Sequence, residues 1–134
     1  MKILITRFSS IGDIVLTFPI LRCLKIQVPS SEIHYATKIQ FKELLTASEY
    51  IDRQYFLENS LKDLIKALRK EKYDLIIDLH NNLRSLSLIL LGTTIKRYSK
   101  SNFKKFMYMK FGINCLNNTH VVDRYMDTIK FLGV

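Results

Sequence analysis

One carboxylate near the amino terminus lies in a short polar loop that could carry acid–base chemistry. The chain opens MKILITRFSSIGDIVLTFP, in which an apolar run is followed by Ser9, Ser10, Gly12 and Asp13 and then by a second apolar run. A carboxylate beside small residues can approach a substrate closely and take a proton from a hydroxyl group. Asp13 is therefore a candidate general base. The structural alternative is that Asp13 complements a helix dipole while Ser10 caps the same helix.

Further polar residues follow other predicted strands, and we expect them near Asp13. The carboxyl ends of parallel strands share one edge of a sheet, where open α/β folds bind their ligands. A carboxylate facing cations suits deprotonation of a hydroxyl on an anionic substrate. His80 could instead be hydrogen-bonded only to backbone. The candidate binding residues are Ser9, Ser10, Gly12, Lys38, His80, Asn81, Asn82, Arg84, Ser85 and Lys100.

The net charge of +9 is distributed unevenly along the chain. Residues 1–78 carry 12 basic and 10 acidic side chains, whereas residues 79–122 carry seven basic ones and no acid. Such a one-sided field favours an anionic partner such as phosphate, nucleic acid or an acidic lipid surface. The alternative is a solvated basic face that serves solubility. Residues 97–111 interleave basic and aromatic side chains, which could stack bases or lie on an anionic membrane, or form an ordinary amphipathic helix.

The hydropathy pattern alternates strands with helices and predicts a mostly parallel α/β sheet. Pro19 implies either a short helical turn before the first long helix or a kink within it. At 134 residues we expect a single domain. Strands are predicted over residues 2–7, 32–37, 51–57, 73–79 and 93–98. Helices are predicted over residues 41–47, 83–91, 102–111 and 119–132. Another helix follows the Asp13 loop and ends near residue 27, and a further one begins at residue 59 or 60.

Several classes of protein are excluded by composition and motifs. No apolar run is long enough to span a membrane, and the amino terminus lacks a signal-peptide pattern, so a cytoplasmic location is expected. Cys23 and Cys115 lack C-x-x-C spacing, which predicts reduced, packed thiols. The zinc-hydrolase, P-loop and G-x-G-x-x-G patterns do not occur. We therefore expect no metal and no other cofactor.

Four stretches resemble the ADP-heptose:lipopolysaccharide heptosyltransferases, glycosyltransferase family nine. They are distributed along the sequence, and the resemblance covers essentially the whole chain. The S-x-x-G-D loop and the D-L-H-x-N-x-R-S turn are fairly specific in combination. The four stretches are KILITRFSSIGDIVLTFPILRCLK, EIHYATKIQFKELL, EKYDLIIDLHNNLRS and HVVDRYMDTIKFLGV.

The resemblance implies a Rossmann-like open parallel sheet with helices on both faces, forming the amino-terminal half of a GT-B fold. That half would bind an acidic lipopolysaccharide-core acceptor, with Asp13 as the base and with Ser10 and Gly12 shaping its loop. Arg84 and nearby cations would meet acceptor phosphates or carboxylates. The reaction inverts the anomeric centre without a metal, at the cytoplasmic face of the inner membrane, where peripheral membrane contact is possible. No nucleic acid partner is expected on this basis.

The resemblance also has a gap, because no residues here match the half of the family that binds ADP-heptose. We therefore expect the chain alone to transfer no sugar. Two other functions remain open. One is a non-enzymatic basic module in which residues 84–110 bind anionic lipid or nucleic acid. The other is a small flavodoxin-like nucleotide-binding domain, against which the missing glycine-rich loop argues.

Overall fold

Five parallel strands form the centre of the chain in a computed structural model that describes residues 1–82, 84–97 and 121–133. The strand order is β3-β2-β1-β4-β5. Strand β1 pairs with β2 on one side (Ile3 opposite Ile33) and with β4 on the other (Ile3 opposite Leu75). The strands are β1 (Lys2–Thr6), β2 (Glu32–Lys38), β3 (Arg53–Leu57), β4 (Leu75–Asp78) and β5 (Thr94–Arg97).

Short helices connect the strands. Pro19 lies in the first turn of α2, where its missing N–H would have no intrahelical partner in any case. A short helix therefore precedes the longer one, as in the first of the two alternatives considered for Pro19; the long helix does not kink there. The helices are α1 (Ile11–Val15), α2 (Phe18–Gln27), α3 (Lys42–Thr46), α4 (Leu61–Arg69) and α5 (Val121–Met126), with 3₁₀-helices over Ile39–Phe41, Ser85–Leu91 and Lys130–Leu132.

Apolar side chains alternate between the two faces of the sheet, so a separate core forms on each. Ile3 and Ile5 face one core, to which α1, α2 and α5 contribute. Leu4 and Ile76 face the other, which contains buried residues of α4 and Leu88 of the 3₁₀-helix. Helices therefore cover both faces, and the α/β class predicted from the sequence is confirmed.

Two helical segments differ from the prediction. Residues 83–91, expected as an α-helix, contain the 3₁₀-helix Ser85–Leu91, whose three-residue period buries Ser85 and Leu88. The final helix, expected over 119–132, consists of α5 and a separate 3₁₀-helix. The helix predicted over 102–111 and the residues Lys100 and Cys115 lie outside the described ranges. No helix in those ranges is both long enough and apolar enough to cross a bilayer.

Candidate functional site

The order of strands reverses between β1 and β4, and the loops after these two strands lie at the carboxyl edge of the sheet. Strands β2 and β3 lie on one side of β1, and β4 and β5 lie on the other. In open α/β sheets this switch point forms a crevice that binds ligands. Arg7, which follows β1, bridges the two loops: its Nη1 donates a 2.6 Å hydrogen bond to the carbonyl oxygen of Leu79, which follows β4.

Asp13 lies in α1 above this crevice and is oriented by three donors. Its Oδ2 accepts hydrogen bonds from the Ser10 backbone N–H at 3.2 Å and from the Ser10 hydroxyl at 2.9 Å. The Nη2 of Arg7 lies 2.8 Å from the same oxygen. The Asp13 side chain is 36% exposed, and its Oδ1 accepts no hydrogen bond from the described residues. One carboxylate oxygen is thus held by the protein while the other is available to a ligand.

The pKa of Asp13 is lowered from its ordinary value of 3.8. Burial alone would raise this pKa, but the hydrogen bonds from Arg7 and Ser10 and the positive charge of Arg7 together outweigh it. Asp13 is therefore ionised throughout the neutral range and can accept a proton.

Gly12 leaves open space beside Asp13. A Cβ atom built on Gly12 would meet no heavy atom within 4 Å, and Gly12 is not among the residues with positive φ. Neither backbone strain nor a crowded neighbour therefore requires a glycine here. Its neighbours Ser9 and Ser10 are half-buried and exposed, respectively. The space over Gly12 is where a ligand could approach the loop.

A second carboxylate, Asp78 at the end of β4, is fully buried and was not predicted as a site residue. Its Oδ1 accepts hydrogen bonds from the hydroxyl of Thr6 and from the backbone N–H groups of His80 and Asn81. Its Oδ2 accepts one from Ser85 at 2.6 Å and lies 3.0 Å from Nε of Arg97. Asp78 therefore shapes the loop after β4 from beneath.

The predicted residues of this loop divide between interior and surface. The Ser85 side chain is buried and donates to Asp78, so it orients the loop from within. Asn82 Oδ1 accepts from the Ser85 N–H, and the Ser85 hydroxyl accepts from the Asn82 N–H. His80 is half-buried, with its ring edge-on to Phe8 at 5.6 Å. Asn81 is also half-buried and adopts φ 47°, a left-handed conformation that asparagine tolerates.

Two predicted cations share this edge of the sheet with Asp13. Lys38 is half-buried at the end of β2, and Arg84 is exposed after β4. Within the described ranges, neither side chain forms a hydrogen bond or an ion pair. The cation that contacts Asp13 directly is Arg7, which sequence reasoning assigned to the predicted first strand. One feature of the sequence could have indicated this contact: Arg7 directly follows an apolar strand, and the next acidic residue along the chain is Asp13.

Comparison with known proteins supports the resemblance noted in the sequence. The chain is 28% identical over 142 aligned residues to lipopolysaccharide heptosyltransferase 1 of Campylobacter coli, and this match covers 98% of the chain and 42% of that protein. The chain thus spans less than half the length of the curated relative that it matches. No family model matches the chain.

Solved structures confirm the fold. A glycosyltransferase family 9 protein of Veillonella parvula superimposes with a TM-score of 0.76 at 20% identity, covering 99% of this chain and 42% of that one. The E. coli heptosyltransferase WaaC, solved with ADP-2-deoxy-2-fluoro heptose, gives a TM-score of 0.74 at 19% identity, covering 99% and 49%. The resemblance to glycosyltransferase family nine therefore extends over essentially the whole chain, as predicted.

Proposed function

We propose that this chain is the acceptor-binding part of an inverting glycosyltransferase that transfers heptose from ADP-heptose to the inner core of lipopolysaccharide. Asp13 is the general base in this proposal. The observation that carries it is the geometry of the Asp13 carboxylate, in which three donors hold Oδ2 and Oδ1 is available. The similarity to a lipopolysaccharide heptosyltransferase supplies the substrate class.

The proposed step is a single displacement. The acceptor hydroxyl donates its hydrogen to Asp13 Oδ1 while its oxygen bonds to the anomeric carbon, and the bond from that carbon to the diphosphate oxygen breaks to release ADP. A carboxylate with a lowered pKa is a weak base. It suffices here because the hydroxyl becomes acidic as its oxygen donates electrons to the sugar. Arg7 holds the carboxylate in place and, by fixing Oδ2, directs Oδ1 toward the acceptor.

Exposed apolar residues of α1 support contact with a second domain. Ile11 and Val15 occupy i and i+4 of α1, so they lie together on one face of this helix, whereas Asp13 at i+2 lies toward the opposite face; both apolar side chains are exposed. In the proposed function this apolar face contacts a donor-binding domain. The 134 residues alone would then lack the contacts that position the leaving group, and these contacts dominate such catalysis.

The remaining binding residues have distinct proposed roles. Lys38 and Arg84 provide positive charge at the sheet edge for acceptor phosphates or carboxylates. Ser9 lies in the loop after β1, and His80 and Asn81 lie in the loop after β4, where they would contact the acceptor. Ser85 and Asn82 position the loop after β4 through the hydrogen bonds described above. Lys100 lies outside the described residues, and its predicted contact remains a prediction, as do the cytoplasmic location and the peripheral membrane contact.

The decisive test uses a two-domain protein that carries this chain as its amino-terminal region. Asp13→Asn should lower kcat with ADP-heptose and inner-core acceptor by about 10³-fold, the scale of a lost general base, with little change in the midpoint of thermal unfolding. Glu43→Gln, which removes an exposed acid on α3, is the matched control and should keep normal rates. Turnover by Asp13→Asn within twofold of the parent would remove Asp13 from the mechanism.

A second experiment separates the transferase from the basic module. The purified 134-residue chain should bind acceptor in a titration but transfer no sugar. Turnover by the chain alone would overturn its assignment as only the acceptor-binding part. Binding of any soluble polyanion with the same affinity, unchanged by Asp13→Asn, would favour the non-enzymatic module.

A further inference from the structure

A groove beside α4, on the side of this helix opposite Asp63, combines exposed apolar side chains with cations. It has a volume of about 660 Å³ and lies between α4 and the 3₁₀-helix Ser85–Leu91. Its lining includes the apolar residues Leu61, Ile65 and Leu90 and the basic residues Lys62, Lys66 and Arg69. It does not reach Asp13, so the proposed chemistry makes no use of it.

The period of the 3₁₀-helix explains why apolar residues are exposed there. With three residues per turn, Ser85 and Leu88 share the face that points into the core, Leu86 and Ile89 share a second face, and Ser87 and Leu90 share a third face that lines the groove. Leu86, Ile89 and Leu90 are 42%, 58% and 61% exposed. Leu90 is the exposed aliphatic side chain of this helix that lines the groove, and Leu86 and Ile89 are exposed on the adjacent face.

The cations of α4 share one face of that helix. Lys62, Lys66 and Arg69 are spaced i, i+4 and i+7, which places them in a row along the groove. Among the described residues, no carboxylate lines this groove. Asp63 and Glu58 line a different groove, beside β3. The charge of the apolar groove is therefore positive without compensation from its own lining.

The two elements are joined, so the surface has a defined shape. Nη2 of Arg69 donates a 2.9 Å hydrogen bond to the carbonyl oxygen of Leu90. Leu64, Ile65 and Leu68 of α4 pack into the same core as Leu88. Cations therefore flank apolar side chains along the groove, an arrangement that matches phosphate headgroups above acyl chains.

We infer that this groove docks the chain on an anionic phospholipid surface, with Leu90 entering the headgroup layer and Lys62, Lys66 and Arg69 meeting lipid phosphates. The 3₁₀-helix follows directly on the loop that contains His80 and Asn81, so docking would hold the carboxyl edge of the sheet close to the membrane. The inference locates the membrane contact of the proposed function on a particular surface. It requires no sugar transfer.

The test is co-sedimentation of the 134-residue chain with phosphatidylcholine vesicles, with and without phosphatidylglycerol. The chain should bind only the anionic vesicles, and added salt should weaken binding. Lys62→Gln with Lys66→Gln should together reduce partitioning by about 25-fold, since each lysine near such a surface contributes about fivefold. Arg22→Gln with Lys42→Gln removes equal charge from exposed positions on α2 and α3 and should have a much smaller effect.

A matched aliphatic pair tests the apolar contribution. Leu90→Ser should reduce partitioning by about fivefold because it removes an inserted side chain. Ile26→Ser, on α2 and 63% exposed, should leave partitioning nearly unchanged. Circular dichroism and thermal unfolding should show both variants folded.

Three results would overturn the inference. The first is failure of the parent chain to bind anionic vesicles. The second is an equal response of Leu90→Ser and Ile26→Ser, which would point to a soluble-polyanion surface if salt sensitivity persists. The third is a concentration-dependent dimer that Leu90→Ser dissociates, which would assign the groove to a second copy of the chain. Because no sugar donor is present, these results are independent of the Asp13 rate measurements.

Discussion

The two edges of the sheet both carry charged side chains, but they use them differently. At the amino edge, Glu71 contacts Lys2, Arg53 and the hydroxyl of Tyr55, so both of its oxygens have partners. The buried ring of His34 is held between Tyr73 at 2.9 Å and Glu32 at 2.7 Å. At the carboxyl edge, Asp13 has all three donors on one oxygen.

This contrast separates structural charges from candidate functional ones. A structural carboxylate has partners on both oxygens, which leaves fewer acceptor sites for a ligand than an oxygen without partners offers. Asp78 belongs to that structural class although it lies at the carboxyl edge, because five donors surround it. Position at the edge is therefore not sufficient to identify a functional acid. The number of oxygens left available, together with exposure, distinguishes Asp13 from Asp78.

The largest effect on stability is expected at Asp78. Asp78→Asn removes the charge that pairs with Arg97 and replaces an acceptor oxygen with a donor, so it should lower the free energy of unfolding by about 3 kcal/mol, the scale of a broken buried ion pair. Urea denaturation followed by circular dichroism measures this. Asp63→Asn, an exposed acid on α4, should change stability by less than about 0.5 kcal/mol. Equal effects of the two variants would contradict the structural role of Asp78.

A smaller effect is expected at the amino edge. The Tyr55 hydroxyl, then Lys2 and Arg53, lower the pKa of Glu71 to about 2 from its ordinary value of 4.5. Because the folded pKa lies below the unfolded one, the stabilisation is present above pH 4.5 and is lost as pH falls toward 2. Glu71→Gln should cost about 1 kcal/mol at neutral pH.

Denaturation of the parent and Glu71→Gln at a series of pH values tests that sign. The difference between them should shrink steadily on acidification. A difference that stays constant down to pH 2 would show that the Glu71 charge does not contribute.

The smallest effect on stability, and one of opposite sign, is expected at Gly12. Gly12→Ala should raise the free energy of unfolding by about 0.5–1 kcal/mol, since alanine favours a helix and the Cβ meets no neighbour. In the two-domain protein it should raise KM for the acceptor by filling the space that the ligand approaches. Thermal unfolding and acceptor kinetics measure the two effects. A loss of stability would mean that the loop itself requires glycine.

The fold was predictable because its signals are local. Apolar strands, the caps at Ser10 and Ser60 and the stripe of α4 each depend on neighbouring residues, and the parallel order follows from the alternation of elements. The 3₁₀ geometry of Ser85–Leu91 was not predictable, because a run of leucines fits either helical period.

The candidate site is predictable in part. The loop sequence points to Asp13 as a candidate, whereas it gives no indication of Asp78, because YDLIIDL predicts a strand through Leu79 with no role for an acid near its end. The missing information is the direction of each side chain. Ser85 points inward to Asp78, and Arg7 points along the edge to Asp13, and both orientations depend on contacts with residues distant in sequence.

The bridge made by Arg7 joins segments 72 residues apart in the chain. Its guanidinium holds the Asp13 carboxylate and the Leu79 carbonyl together, and Leu79 is itself bonded through its N–H to Thr6. Displacement of this guanidinium would therefore disturb both the Asp13 loop and the segment that follows β4. Amide hydrogen exchange at Leu79 should accordingly occur mainly through global unfolding, and the arrangement of Arg7 and Asp13 should persist until the cooperative transition and disappear with it.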